Sequence, residues 1–330
     1  MVGVEKLSIL VTGGAGYIGS HFVRKLVEHK KEIIVFDNLS RGHKESLPFE
    51  VKFEKIDLMD NEKLISKMSS YKIDSIVHFA ALANVGESVE KPELYYSNNV
   101  IGSLNLMKAA ANYGVKKFVF SSTCSVYGNP DKMPITEDAP LNPINPYAHT
   151  KITIENILND FDKAFGLKFV SLRYFNAAGA DFSGEIGESH NPETHLIPII
   201  LKTVLGKQEK VSVYGNDYNT SDGTCIRDYI HVNDLADAHL KALDYLEDAE
   251  TSEFINLGTG EGNSVMEVLK LSEDIVGNSI KYEIIERRSG DPAVLVADNK
   301  KAKLLLDWLP QYGLKEIIHS AWSWHKNQKF

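Results

Sequence analysis

Thr12-Gly13-Gly14-Ala15-Gly16-Tyr17-Ile18-Gly19 is the stretch from which the fold of this chain can be read. Its glycines at 13, 16 and 19 follow the apolar run Leu7–Val11. They open the stretch His21–Lys30, where Phe22, Val23, Leu26 and Val27 recur at helical spacing. Strand, glycine turn and helix in that order form a dinucleotide-binding corner. Glycine lets the backbone turn tightly and approach a pyrophosphate, whose charge rests on the free N–H groups of the helix N-terminus. Asp37 ends the next apolar run, Glu32–Phe36, 18 residues beyond Gly19. A carboxylate there accepts both ribose hydroxyls of an adenosine and repels a 2′-phosphate, which favours NAD over NADP. Arg41 pulls the other way, because a nearby guanidinium accommodates that phosphate.

Working outward, Val51–Ile56 (ending at Asp57), Asp74–Phe79, Lys117–Ser121 and Lys168–Leu172 read as further strands, and Leu94–Tyr113 and Tyr147–Phe165 as long helices. The strands are almost wholly apolar, as in a parallel sheet buried on both faces. The expected fold is α/β: a Rossmann-type doubly wound parallel sheet with a smaller C-terminal α/β substrate domain. Asp57-Leu58 would flank the adenine, and the small residues of Phe79-Ala80-Ala81 would let the chain pass the cofactor. After Asn176 the pattern changes. Residues 180–195 and 215–227 read as polar loops, Val211–Tyr214 as a strand, and Pro198–Leu205, Val232–Leu246, Val265–Val276 and Leu314–His325 as the main remaining elements. The domains are therefore expected at 1–176 (dinucleotide-binding) and 177–330 (substrate-binding), with a segment near 228–250 able to pack with the first.

Composition narrows the function. Of 330 residues, 43% are hydrophobic and 25% charged, enough apolar material for a core and against disorder. A net charge of −9 disfavours a nucleic-acid partner, since nothing neutralises phosphates in bulk. No apolar run approaches the roughly 20 residues of a membrane span. Met1–Lys6 lacks a small-residue cleavage site, so no signal peptide is expected. Cys124 and Cys225 are the only cysteines, too few for a disulfide framework or a zinc cluster of their own, and a cytoplasmic location fits.

The chemistry is carried by Tyr147 and Lys151, which follow Pro146 at a helix start and share a face four residues apart. An ammonium beside a phenol stabilises the phenolate, giving a base for a sugar or alcohol hydroxyl near neutral pH. Ser121-Ser122-Thr123 closes a strand on the carboxyl edge where ligands bind in such sheets, and the Thr123 hydroxyl suits a substrate hydrogen bond.

With these residues in place the chain resembles the extended short-chain dehydrogenase/reductases, and within them the 4-epimerases of UDP-sugars. The resemblance runs through Val11–His21, Phe36–Asn38, His78–Ala81, Val85–Ser88, Tyr95–Val100, Phe120–Gly128, Pro146–Lys151, Arg173–Ala180, Gly215–Tyr218, Asp222–Leu235, Asn256–Gly260, Arg287–Pro292 and Ala297-Asp298. It implies a catalytic set of Thr123, Tyr147 and Lys151. It implies cofactor contacts at Gly13, Gly16, Tyr17, Ile18, Gly19, Asp37, Asn38, Asp57, Leu58, Phe79, Ala80, Asn98, Ser121 and Tyr174 besides Tyr147 and Lys151. For the nucleotide sugar it implies Thr123, Tyr147, Asn176, His195, Leu196, Val213, Tyr214, Gly215, Arg227, Arg288, Asp291 and Leu295.

The activity implied is interconversion of UDP-galactose and UDP-glucose in galactose metabolism. Inversion at C4 passes through a transient 4-keto sugar, with tightly bound NAD and Tyr147 as acid and base, by a homodimer that needs no metal. Three positions depart from the family pattern: Thr123 for the commoner serine, Ala83 where several members carry a lysine against the phosphates, and Leu295 where members place the gate for a 2-acetamido group. Val294-Leu295-Val296 reads equally as an ordinary short strand.

Arg227 and Arg288 suit a diphosphate, which a guanidinium grips with paired hydrogen bonds. Asp228 and Glu286 beside them offer the alternative of surface ion pairs. Loop 180–195 has the length to fold over a ligand, and His190 and His231 are expected to be satisfied structural histidines. Two rival functions fit the residues less well. A 4,6-dehydratase needs an acid–base pair directly after Thr123, where Cys124-Ser125 stand. A non-catalytic NAD sensor is disfavoured by intact Tyr147 and Lys151.

Overall fold

The computed structural model describes residues 7–288 and 291–330; Met1–Lys6, on which the signal-peptide expectation falls, lie outside the described residues. In chain order the elements begin β1 (Ser8–Thr12), α1 (Tyr17–Glu28), β2 (Ile33–Asp37), β3 (Lys52–Lys55), α2 (Asn61–Met68), β4 (Ile73–His78), α3 (Val85–Glu90) and α4 (Pro92–Tyr95). A π-helical turn (Tyr96–Ile101) leads into α5 (Gly102–Asn112), β5 (Lys117–Ser121), α6 (Pro146–Phe165), β6 (Lys168–Tyr174) and β7 (Asn176–Ala178). Next come α7 (Leu196–Val204), β8 (Val211–Tyr214), β9 (Ile226–Arg227), β10 (Tyr229–His231), α8 (Val232–Asp248), β11 (Glu253–Leu257), β12 (Asn263–Ser264) and α9 (Val265–Val276). The chain closes with β13 (Tyr282–Ile285), β14 (Val294–Leu295), α10 (Lys300–Leu306) and α11 (Leu314–Lys326).

The chain divides into two compact units. The first comprises residues 1–126, 143–173 and 236–255. It is built on a sheet of order β11-β6-β5-β4-β1-β2-β3, with β1 parallel to both β2 and β4. The strand order reverses at β1, so the crevice outside its carboxyl end, between β1 and β4, is where an open α/β sheet takes its ligand. Leu10, Ile34, Phe36, Ile76, Phe118, Phe120 and Phe169 fill the core with Leu106, Ile154 and Leu158 from the crossover helices. Helix α6 starts where Asn145 Oδ1 accepts the Ala148 N–H and Pro146 occupies the first turn, and it stops at Gly166 with φ 66°.

Two sequence expectations need correction here. Leu94–Tyr113 is not one regular helix. The fully buried Asn99 accepts the Leu82 N–H at 2.8 Å and donates to the Leu82 carbonyl at 3.0 Å, and the backbone widens into the π turn around it. Residues 127–142 belong with the second unit rather than with 1–176. Ile135 exchanges main-chain bonds with Val296 and Asp298, both 2.8 Å, and Glu137 accepts the Asn256 N–H. Segment 236–255 lies in the first unit, where Asp237 pairs with Lys25 at 3.4 Å and Glu247 with Lys117 at 2.8 Å.

The second unit comprises 127–142, 174–235 and 256–330. Its sheets are small: β7 with β10, β8 with β13, and β9 between β12 and β14. Ile197, Ile200 and Leu201 of α7, Val268 and Leu269 of α9, and Ile317 and Ile318 of α11 share its core with Val211 and Val213. Helix α9 carries a full capping box between Ser264 and Glu267.

Candidate active site

In the first unit the glycine turn is shaped partly by the protein and partly for something outside it. Gly13 has φ +72°, and a Cβ there would lie 2.5 Å from the Ala80 main-chain nitrogen. A Cβ on Gly19 would meet the Gly13 carbonyl oxygen at 2.3 Å. Both are demanded by the fold itself. Gly16 differs: an added Cβ would meet only the Gly13 oxygen, at a tight 3.3 Å that a small shift of the backbone could relieve. Gly16 is also the N-cap of α1 and makes no side-chain cap, leaving the N–H groups of Tyr17, Ile18 and Gly19 without an intrahelical acceptor. A backbone cradle at a helix N-terminus, bare where a ligand must come close, fits a pyrophosphate.

Asp37 lies at the end of β2, 7% exposed, accepting N–H groups from Ala15 at 3.0 Å and Leu39 at 2.8 Å. Burial pushes its carboxyl pKa up, and these two donors oppose that. Each oxygen keeps a further lone pair for a ribose hydroxyl. Asn38 donates to Asp57 at 3.0 Å, and Leu58 is buried beside Gly102. Phe79 and Ala80 follow β4 directly, and Asn98 donates to Asn99 within the π turn. Arg41, which the sequence left as a possible 2′-phosphate partner, makes a two-pronged bond to Glu87 at 3.1 and 2.9 Å.

Tyr147 and Lys151 occupy successive turns of α6, both buried. Lys151 Nζ donates to the Ser121 carbonyl at 2.7 Å, lies 4.8 Å from the centre of the Phe120 ring, and is 5.8 Å from that of Tyr147. Burial brings the ammonium down to about 7, against the charge of Glu155, which raises it. Thr123 follows β5, and its hydroxyl donates to Ser125 at 3.1 Å.

Sequence reasoning missed two supports of this group. Glu155, one turn beyond Lys151, takes hydrogen bonds from Ser122 (2.7 Å), Ser171 (2.8 Å) and Arg173. A second buried chain runs from Thr12 to His78 (2.6 Å), to Ser103 (2.8 Å) and on to the Asn99 carbonyl, while the Asn99 amide reaches Thr150, whose hydroxyl donates to the Tyr147 carbonyl. The available signal was polar residues at helical spacing on the faces of α5 and α6 turned to the sheet.

The second unit holds the remaining residues. Arg227 Nη2 reaches Asp291 Oδ1 at 2.7 Å, and Leu295 is the register partner of Arg227 in the paired strands β14 and β9. Asp228 is not a partner of Arg227. It is fully buried and binds the N–H groups of Thr259, Gly260 and Ala297. The Arg288 guanidinium lies 3.8 Å from the centre of the Tyr214 ring instead of pairing on the surface. Val213, Tyr214 and Gly215 run along β8 into the turn where Gly215 has φ +84°. The Asn176 N–H donates to the Asp228 carbonyl at 2.9 Å, and His195 caps α7 ahead of Leu196. Tyr174 ends β6. His231 is satisfied as expected, between Ser320 and the Asn233 N–H and stacked on Phe182. His190 has a partner as well: its Nδ1 lies 3.1 Å from Glu188 Oε1, with Glu193 Oε1 at 4.0 Å, on the segment before α7.

A doubly wound sheet with a bare glycine cradle at its switch point, and a tyrosine and lysine on the following crossover helix, defines a nicotinamide-dependent enzyme of the short-chain dehydrogenase class. The chain belongs to the NAD dependent epimerase/dehydratase family, whose model matches residues 9–258. It is 50% identical to the UDP-glucose 4-epimerase of Halalkalibacterium halodurans, over 97% of this chain and 96% of that protein. The structure of UDP-glucose 4-epimerase from Brucella ovis in complex with NAD superposes with a TM-score of 0.93 at 44% identity, covering 96% of this chain and 97% of that one. The enzyme from Bifidobacterium longum in complex with NAD+ and UDP gives a TM-score of 0.93 at 39% identity, with 97% and 98% covered.

Proposed function

We propose that this chain interconverts UDP-galactose and UDP-glucose by inverting C4 of the hexose. The observation that carries the reading is Lys151, fixed by the Ser121 carbonyl with its ammonium within 5.8 Å of the centre of the Tyr147 ring, in a chain half identical to UDP-glucose 4-epimerases across nearly its whole length.

The glycine turn, Asp37, Asn38, Asp57, Leu58, Phe79, Ala80, Asn98, Ser121 and Tyr174 are the residues that would hold NAD, which when bound accepts the C4 hydride and gives it back to the opposite face. The protein's own part is proton transfer and orientation. The Tyr147 phenolate, stabilised by the Lys151 charge, takes the proton of the C4 hydroxyl and later returns it. The Thr123 hydroxyl holds that oxygen in line. Arg227 and Arg288 neutralise the diphosphate, and Asp291 keeps Arg227 aimed. Because reaction and reversal leave no net redox change, the cofactor stays in place between turnovers. Cys124-Ser125 after Thr123 supply no acid–base pair for elimination, which separates this chain from the dehydratases.

We read the assembly as a homodimer formed through the first unit, where Val89, Leu94, Tyr96 and Ile101 of α3, α4 and the π turn are exposed together. No helix among the described residues is long and apolar enough to cross a membrane. The two buried free cysteines suit a cytoplasmic setting.

The test is incubation of purified protein with UDP-galactose and no added NAD. UDP-glucose should form. A folded, NAD-loaded sample that forms none would remove the reading, and a monomeric mass by light scattering at micromolar concentration would remove the dimer.

A further inference from the structure

Four side chains of the second unit crowd together on the segment leading into α7, and the proposed reaction does not use them as a group. Glu188, His190, Glu193 and His195 each present one potential ligand atom, and these atoms lie within 4.8 Å of one another. Glu188 Oε1 is 3.1 Å from His190 Nδ1 and 2.5 Å from His195 Nδ1. Glu193 Oε1 is 4.0 and 3.5 Å from the same two nitrogens. The two carboxylate side chains are only 3% and 5% exposed. Even so, Glu188 Oε1 and Glu193 Oε2 receive no aligned hydrogen bond. A buried, charged acceptor whose nearest donors are out of line is costly, and its ordinary explanations are an ordered water or an ion.

Two arrangements account for such a cluster. In the first, protons alone hold it: a His195 imidazolium faces Glu188, and Lys202 Nζ, 3.6 Å from Glu193 Oε2, faces Glu193. That leaves both buried oxygens without an aligned donor. It also leaves the two imidazoles turning the same atom, Nδ1, toward one carboxylate oxygen. In the second, the atoms converge on a shared cation. Ligands at zinc bonds of about 2.0–2.2 Å stand about 3.4 Å apart along a tetrahedral edge, within the spread of distances found here. Two carboxylates balance a dication, the imidazoles bind it neutral, and the orphaned Glu188 oxygen is satisfied.

We propose that Glu188, His190, Glu193 and His195 bind one divalent cation of the zinc class. Mixed imidazole and carboxylate donors select a borderline metal such as Zn2+ over calcium or magnesium, which take oxygen ligands. With four protein ligands the site is closed and structural. It pins the segment 188–195 onto the start of α7, whose first residues, Leu196 and Ile197, pack in and against the core of the second unit. The expectation that no metal is needed concerned the chemistry of epimerisation, whereas this site concerns the segment before α7. His195 is also among the residues that the resemblance places at the nucleotide sugar, and the test is kept apart from turnover because its readout is metal content.

The test uses tag-free, full-length protein stripped with EDTA, loaded with zinc chloride, desalted, and analysed for zinc by mass spectrometry. One zinc per chain is expected, with a higher Tm than the stripped protein. Cobalt in place of zinc should give the visible bands of a four-coordinate ion. Glu188→Gln and His190→Asn should each reduce retained zinc to background and abolish those bands. Wild-type protein that is folded yet retains no zinc overturns the proposal. So does a His190→Asn variant that retains as much as wild type, since the metal would then sit on other histidines. His190 is 30% exposed, so its variant keeps the test open if Glu188→Gln does not fold.

Discussion

Arg173 closes two hydrogen bonds on Glu155, 3.0 Å from Nε to Oε1 and 2.6 Å from Nη2 to Oε2, with both side chains almost wholly buried. Glu155 is one helical turn beyond Lys151, and its charge opposes the loss of the lysine proton that burial promotes. The pair therefore links the last strand of the parallel series, β6, to the proton chemistry on α6. Arg173→Met leaves the Glu155 charge buried without its partner and should destabilise the protein by about 3–5 kcal/mol. Adding Glu155→Gln should recover part of that. Urea unfolding of the single and double variants measures both, and simple additivity would show that the pair acts as two independent groups.

Tyr147→Phe keeps the ring and its packing and removes only the group that moves the proton. Turnover should fall by roughly 10²–10⁴-fold, with NAD retained because the glycine turn is untouched. The checks are kcat and the cofactor released on denaturation. A loss of less than about tenfold would assign the proton to another group.

His78 is locked between Thr12 and Ser103. Burial, aided by the nearby Lys151 charge, lowers its pKa from 6.5 to about 3. The folded state therefore keeps the imidazole neutral across a range where the unfolded chain binds a proton, and stability must rise with pH between about 3 and 6.5 through this group. Acidification from pH 7 to 5 should lower the urea midpoint more in wild type than in His78→Gln, which cannot be protonated. Equal slopes in the two proteins would show that His78 is not a source of acid sensitivity.

Leu295 sits in register with Arg227, the residue proposed to hold the diphosphate. Leucine is smaller than the tyrosine and larger than the serine that family members carry there. It should leave weak or no turnover of the N-acetylated UDP-sugars, because steric exclusion disturbs binding and transfer geometry together. Leu295→Ser should raise N-acetyl turnover more than hexose turnover. An unchanged ratio of the two activities in a stably folded variant removes the gate.

What the sequence determined by itself was whatever depends on neighbours along the chain. Gly13, Gly16 and Gly19 announce the turn because a strand precedes them and an amphipathic helix follows. Tyr147 and Lys151 announce their shared face because four residues make about one turn. The apolar strands announce a parallel sheet because both faces must be buried.

What only the tertiary structure decided depends on residues far apart in sequence. Ile135 joins the second unit through strand-like bonds to residues near 297, and no local pattern marks that. The Leu94–Tyr113 periodicity reads as an ordinary helix, because the π turn is set by Asn99 reaching Leu82 from another part of the fold. Arg41 weakens the sequence case for NAD slightly, as a guanidinium able to accommodate a 2′-phosphate, until Glu87, 46 residues on, is seen to hold it. Asp228 stands beside Arg227 in sequence and offers an ion pair as the alternative to a diphosphate, until three main-chain N–H groups from remote loops claim it. For Asn99 and Asp228 the buried polar group goes to donors and acceptors that would otherwise lack a partner, and only the folded chain shows which ones those are.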